Sequence, residues 1–202
     1  MVAHDALILA GGAARRLGGA LKPQVTVRGR RLLDHVLDAT EGARQVVVVA
    51  PDTVPVPDGV TRTLEDPPFG GPVAGIAAGL AALTEPAAPW VLLLACDLPG
   101  AAAAVPRLLS AAEEPDRHPA DPSGGAIDAV VLRDEHGREQ WLLGIYSAAA
   151  LRERVAALAD AGGLRDTSVR QLVRPLWRAS LQAAAGEAAD VDTWADRDAI
   201  TP

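Results

Sequence analysis

Cysteine, lysine, aromatic side chains and long apolar runs are all scarce in this chain of 202 residues. The single cysteine, Cys96, permits no internal disulfide and no cysteine-based zinc cage. The N-terminus lacks the basic flank and long apolar stretch of a secretory signal, so a cytoplasmic location is expected. The longest apolar runs, such as Trp90–Cys96, fall far short of the roughly 20 residues that span a bilayer, and no membrane segment is expected. Positive charge is also short: 19 basic against 26 acidic side chains leave a net charge of −7. That mean field opposes duplex nucleic acid and anionic membranes. It does not oppose a small polyanion, because backbone N–H groups and one or two cations bind phosphate even within an acidic protein. Eighteen of the basic residues are arginine, and Lys22 is the only lysine. It marks a position where a compact, mobile ammonium suits the task better than a planar guanidinium.

Hydrophobic residues make up 49% and charged residues 22%, the profile of a packed globule with length for one domain and a three-layer core. Ala6–Ala10 is a short apolar run opening into Gly11 and Gly12, the pattern of a buried parallel strand ending in a glycine loop. Val25–Val27 reads as a small extended excursion before a helix over about Leu32–Thr40. Gln45–Ala50 is a second core strand, and a weaker one lies near Val60–Leu64. Pro72 suits the first turn of a helix that continues over Val73–Leu83. Trp90–Ala95 is the most strongly apolar strand and runs into Cys96-Asp97-Leu98-Pro99, followed by a helix over about Ala101–Glu113. This alternation predicts a doubly wound, mainly parallel α/β sheet.

Pro115–Gly125 reads as an exposed loop marking a change of organisation. Beyond it, Ile127–Leu132 and Gln140–Tyr146 predict a β-hairpin around Asp134–Glu139. Ser147 is suited to cap a helix that runs to about Asp160 and ends at Gly162-Gly163. Thr167 or Ser168 would cap a shorter one. Arg170, Arg174 and Arg178, four residues apart, predict a solvated helix stripe, with a phosphate site as the less favoured reading. Trp90 and Trp177 read as core packing, and Trp194 as the anchor of a last helix.

Two segments point to chemistry. In Leu9–Pro23, glycines following a strand let the chain approach a ligand with its N–H groups inward, while Arg16 and Lys22 neutralise phosphate charge. The segment is neither a Walker loop nor GxGxxG, so a nicotinamide-dependent dehydrogenase is disfavoured. Asp97 ends the strongest strand, on the sheet edge where α/β proteins bind ligands, and one carboxylate with phosphate oxygens and water suits Mg²⁺. The expected arrangement has Lys22 facing Asp97 across a gap sized for a metal-bound nucleotide. Cys96 is expected to be a buried small residue, and His4, His35, His118 and His136 form no catalytic constellation.

Leu9-Ala10-Gly11-Gly12, Arg16, Gly18 and Lys22, then Asp66 before Gly71-Pro72-Val73-Ala74-Gly75, then Cys96-Asp97-Leu98-Pro99, Gln140–Tyr146 and Asp190-Val191-Asp192-Thr193 resemble the MobA-type molybdenum cofactor guanylyltransferases of the nucleotidyltransferase superfamily. The likeness runs in order from about residue 6 to 196. It implies a three-layer Rossmann-like nucleotidyltransferase fold, mainly parallel with a β-hairpin excursion in the C-terminal half. It also implies one domain over 1–202, with a nucleotide-binding half at 1–115 and an acceptor-binding half at 126–202. The implied reaction is Mg²⁺-dependent transfer of GMP from GTP to molybdopterin with release of pyrophosphate. By position, Arg16, Lys22 and Asp97 would be catalytic. Leu9, Ala10, Gly11, Gly12, Lys22, Asp66 and Asp97 would hold the nucleotide, and Asp97 with Asp192 the Mg²⁺. GTP and molybdopterin are the implied partners, with room for other molybdenum cofactor biosynthesis proteins and none for nucleic acid or membrane.

The chain departs from the family at three places. Pro51-Asp52 stands where relatives commonly have asparagine, Asp190 and Asp192 stand in an Asn-x-Asn-Thr block, and Leu21 replaces a residue that is often polar. Two alternatives therefore stay open: cytidylyl transfer from CTP to the same cofactor, and a catalytically silent nucleotide-binding paralogue.

Overall fold

The structure, a computed structural model, describes residues 2–11, 21–114 and 126–200. The strands are β1 (His4–Leu9), β2 (Thr26–Val27), β3 (Arg30–Arg31), β4 (Val46–Val49), β5 (Thr61–Thr63), β6 (Trp90–Ala95), β7 (Ala129–Arg133), β8 (Glu139–Ser147) and β9 (Arg178–Gln182). The helices are α1 (Leu32–Asp38), α2 (Pro72–Ala82), α3 (Ala101–Glu113), α4 (Ala148–Asp160), α5 (Val169–Val173) and α6 (Trp194–Ile200). One seven-stranded sheet, in the order β5-β4-β1-β6-β8-β7-β9, runs through both halves of the chain. Only β8 runs against its neighbours. The mainly parallel α/β architecture and the hairpin excursion are thus as the sequence predicts.

Alternation along each strand builds the layers. Ala6, Ile8, Val48, Leu92, Leu94, Val130 and Leu132 face one side, where α1 and α3 cover them with Leu33, Val36, Val105 and Leu108. Leu7, Val47, Val91, Leu93, Val131 and Tyr146 face the other, under Val73, Ile76 and Leu80 of α2 and Leu151 and Leu172 of α4 and α5. Full burial of each such side chain contributes about 1.5–3 kcal/mol. In α2, a Cβ on Gly79 would sit 3.2 Å from Leu7 and Val49 side-chain carbons. The bare backbone therefore lets the helix lie close to the sheet. Helix starts follow the chemistry read from the sequence: Ser147 caps α4, and Ser168 rather than Thr167 caps α5, in a reciprocal box with Gln171.

The arginine repeat is not a helix stripe. Pro175 lacks the N–H needed to continue α5, which ends at Val173, and Arg178 opens β9 instead. There its guanidinium grips Glu139 through Nε at 2.9 Å and Nη2 at 2.7 Å. Arg133 and Arg174 stand with this pair around a cavity of about 500 Å³. Trp90 and Trp177 are only partly buried, packed against the core, and Trp194 is 42% exposed rather than an anchor.

A second, small core, Val25, Val27, Leu32 and Val191, joins the β2–β3 hairpin to the C-terminal segment. That segment crosses the start of α3 at Gly100, where a Cβ would lie 2.2 Å from the Gly186 carbonyl oxygen. Gly100→Ala must push the C-terminal segment off α3. We expect a loss of about 2 kcal/mol in denaturant unfolding, and an unchanged midpoint would show that the segment yields without penalty.

Candidate active site

The four parallel strands β5, β4, β1 and β6 end on one edge, and the backbone locks their exits together. Ala50 N donates to Thr63 O (2.8 Å), Ala10 N to Val49 O (2.9 Å) and Cys96 N to Leu9 O (3.0 Å). This ladder places Ala10-Gly11, Asp66 and Asp97 on a common rim. Gly11 is exposed, and a Cβ there would meet only Val49 O at 3.8 Å. The protein's own packing therefore does not demand glycine at that position. Asp66 lies on the same rim, exposed, three strands from β6, or roughly 14 Å at the usual strand spacing. Gly12, Arg16 and Gly18 lie outside the described residues.

Lys22 opens a short 3-10 turn (Lys22–Gln24) whose Pro23 is buried. From this turn its Nζ donates to Asp97 Oδ2 and to Asp192 Oδ1, each at 2.5 Å. The gap expected between Lys22 and Asp97 is thus closed by a direct ion pair. The physical reason is local: a half-buried ammonium beside two carboxylates recovers by contact the hydration that burial removes. Burial is the largest single influence on Lys22 and opposes its charge. Attraction to Asp97 and the hydrogen bonds to Asp192 and Asp97 together outweigh it, so its pKa stands above the ordinary lysine value.

Asp192 reaches this position because its segment is held at several points. Val191 N donates to Asp97 O at 3.0 Å, and Val191 is fully buried. Asp196 accepts from the backbone of Asp192 (3.1 Å) and Thr193 (2.7 Å) and from the Thr193 hydroxyl (2.8 Å), while Asp196 N donates back to Thr193 Oγ1. Asp196 was missed in the sequence reading, although Thr193-x-x-Asp196 has the spacing of a capping box. Asp190 stands behind the pair. Burial first, then the negative charges of Asp192 and Asp97, push its pKa above the usual carboxylate range. Cys96 is 4% exposed and its thiol is pushed up to about 12, chiefly by burial, so it is no nucleophile.

Two carboxylate oxygens close enough to share one ammonium are close enough to share a hard cation. Among the described residues there is no cluster of three or more metal-ligating side chains. Two carboxylates are a donor number that suits Mg²⁺ where phosphate oxygens and water complete its shell.

The MobA-like NTP transferase domain model matches residues 6–188. The chain belongs to that family. It is accordingly a nucleotidyltransferase. A molybdenum cofactor guanylyltransferase of Bradyrhizobium sp. is 40% identical over 46% of this chain and 47% of its own. Another, of Pseudomonas syringae, is 29% identical over 90% of this chain and 84% of its own. The aligned stretch thus spans about half of the first relative and most of the second. The same fold occurs in the 2-C-methyl-D-erythritol 4-phosphate cytidylyltransferase of Thermus thermophilus. Its TM-score is 0.69 at 23% identity, over 99% of this chain and 97% of that one. Among the described residues no helix is long and apolar enough to cross a membrane.

The raised pKa of Asp190 has a defined sign in stability. The folded state holds its proton more tightly than the unfolded state, so stability falls as pH rises from about 3.8 through the raised value and stays lower above it. Asp190→Asn should therefore melt at a higher temperature than wild type at pH 7, and the difference should vanish below pH 3.8. Equal melting at pH 7 would mean that the neighbouring carboxylates do not strain this position. Lys22 has the opposite linkage: its contribution is complete below pH 10.5 and is lost only as pH rises through its raised pKa.

Proposed function

We propose that this chain, as one domain over 1–202, transfers GMP from GTP to molybdopterin with Mg²⁺ and releases pyrophosphate. The observation that carries the reading is the convergence of Lys22, Asp97 and Asp192 at the rim where the family's nucleotide loop also ends. The relatives named as molybdenum cofactor guanylyltransferases support the substrate pair. Residues 1–115 form the nucleotide-binding half, and 126–202 the acceptor-binding half that contributes Asp192.

In this reading Leu9, Ala10 and Gly11 meet the base and ribose through backbone atoms, with Gly12 continuing the loop and Asp66 beside the nucleoside. Asp97 and Asp192 hold the Mg²⁺, whose contribution when bound is to draw negative charge from the triphosphate oxygens. Lys22 keeps its proton throughout and, with Arg16, offsets the charge that develops on the departing pyrophosphate. An acceptor phosphate oxygen forms a bond to the α-phosphorus as the bond from that phosphorus to the bridging oxygen breaks. The acceptor is already anionic, so no general base is required. The protein's task is alignment and charge compensation.

Cytidylyl transfer is the second reading, left open because Pro51-Asp52 departs from the pattern that the family resemblance implies near the nucleotide. Pyrophosphate release with molybdopterin and Mg²⁺, measured for GTP and CTP in parallel, decides between them. Faster release from CTP overturns the guanine assignment, and no release from either supports the silent paralogue. Asp97→Asn should lower the Mg²⁺-dependent rate at least 100-fold with the fold retained by circular dichroism. Lys22→Arg, with charge kept but shape changed, should lose roughly 10-fold or more in kcat. Near-normal turnover in either variant removes that residue from the machinery.

A further inference from the structure

Phe69 is the chain's only phenylalanine, and it is 73% exposed. Its backbone is in the left-handed region, φ 62°, which bulky side chains avoid because Cβ crowds the following carbonyl. Glycine would serve that conformation without strain, and the two residues that follow are glycines. The loop nonetheless spends conformational strain to hold an aromatic ring in solvent.

The loop is also fixed. Gly70 N donates to Glu65 Oε1 at 3.3 Å, and Gly70 O accepts from Asp166 N at 2.9 Å. A Cβ at Gly70 would lie 2.7 Å from the Ala74 Cβ, so the backbone beside Phe69 is seated against the first turn of α2. These contacts tie the loop to its own start at Glu65, to α2 and to the α4–α5 connection at once. Phe69 is three residues past Asp66, on the rim where β5 ends. The other strongly exposed aromatic among the described residues, Trp194, is covered by the Arg197 guanidinium 4.7 Å from its ring centre. Among the described residues no cation covers Phe69 in this way.

We infer that Phe69 is a stacking residue, a preformed apolar face on which a flat heteroaromatic ring of a substrate lies. Strain at a rigid, exposed position beside a ligand rim is retained when the ring serves binding rather than folding. A ring carried on a fixed backbone has only side-chain freedom left to lose on stacking, and every nucleobase or pterin presents a π-face to it. The inference rests on the nucleotidyl-transfer reading for the identity of the ring, nucleobase or acceptor pterin, and not for the existence of the face.

Calorimetry on the full chain tests it with probes that separate ring from phosphate: the four nucleoside triphosphates with Mg²⁺, inorganic triphosphate with Mg²⁺, and free pterin. Phe69→Ala should weaken a ring-bearing ligand roughly 10-fold or more and leave inorganic triphosphate unchanged, with Phe69→Tyr close to wild type. Weakening confined to the nucleoside triphosphates assigns the face to the base; weakening confined to pterin assigns it to the acceptor. Phe69→Gly relieves the left-handed strain, so it should melt at a higher temperature while binding the ring more weakly, a combination that a packing role would reverse. The test uses whichever nucleoside triphosphate binds best, so a failed guanine assignment leaves it intact. If Phe69→Ala binds every ring-bearing probe as wild type does, or if no such probe binds wild type, the inference is overturned.

Discussion

The ammonium of Lys22 between Asp97 and Asp192 is the contact on which the organisation of the candidate site's rim turns. It joins a turn after the glycine loop, the exit of the central strand β6 and a segment 170 residues further along the chain. In a chain of net charge −7, three aspartates gathered at residues 97, 190 and 192 would repel one another without a cation. The choice of lysine also follows. A guanidinium fork presents its donors in one plane and suits both oxygens of a single carboxylate, as Arg31 does with Asp34. An ammonium directs three donors in different directions and can serve two carboxylates arriving from separate elements. In a chain that otherwise uses arginine throughout, Lys22 stands where that geometry is needed.

Packing away from the rim brings these charges together. Val191 is buried with Val25, Val27 and Leu32, so the apolar contact that docks the C-terminal segment also docks the hairpin preceding α1. Gly100 lets the same segment pass within van der Waals reach of α3, and Val191 N closes on Asp97 O. The two partners of Lys22 are consequently brought within reach by backbone hydrogen bonds and a small apolar cluster, and the ion pair closes between them. Asp196 adds the last constraint by gripping the backbone of Asp192 and Thr193.

Much of this was legible in the sequence where one physical signal dominated. Ala6–Ala10, Gln45–Ala50 and Trp90–Ala95 are apolar on both faces because helices cover both sides of the sheet, and such runs have few other readings. Ser147 and Gly162-Gly163 bracket α4 as their capping chemistry requires. The failures arose where two periods competed. Arginine at 170, 174 and 178 matches a helix repeat, yet Pro175 interrupts it, and Arg178, Ser180 and Gln182 alternate with Ala179 and Leu181 as an edge strand does. At the site, the residue types at 22, 97 and 192 were readable from spacing and resemblance. Their direct contact was not, because it depends on how Val191 and Gly100 steer a distant segment. Phe69 carried no sequence signal at all, since exposure and a positive φ are properties of the folded loop.

The closed ion pair also bears on how one lysine would serve two stages of the proposed reaction. Asp97 and Asp192 each spend an oxygen on the ammonium. A divalent cation taken by those oxygens would replace one positive charge with two and leave Nζ within a side chain's swing of the rim. The carboxylates outweigh burial and hold the Lys22 pKa above the ordinary value, so the ammonium enters that exchange protonated. An arginine could not make the same transfer without breaking a planar pairing. Asp190 sits two residues before Asp192, with burial and its neighbours' charge opposing its ionisation. A third charged carboxylate in direct contact would bind the ammonium more firmly still, at the cost of added repulsion among the three carboxylates.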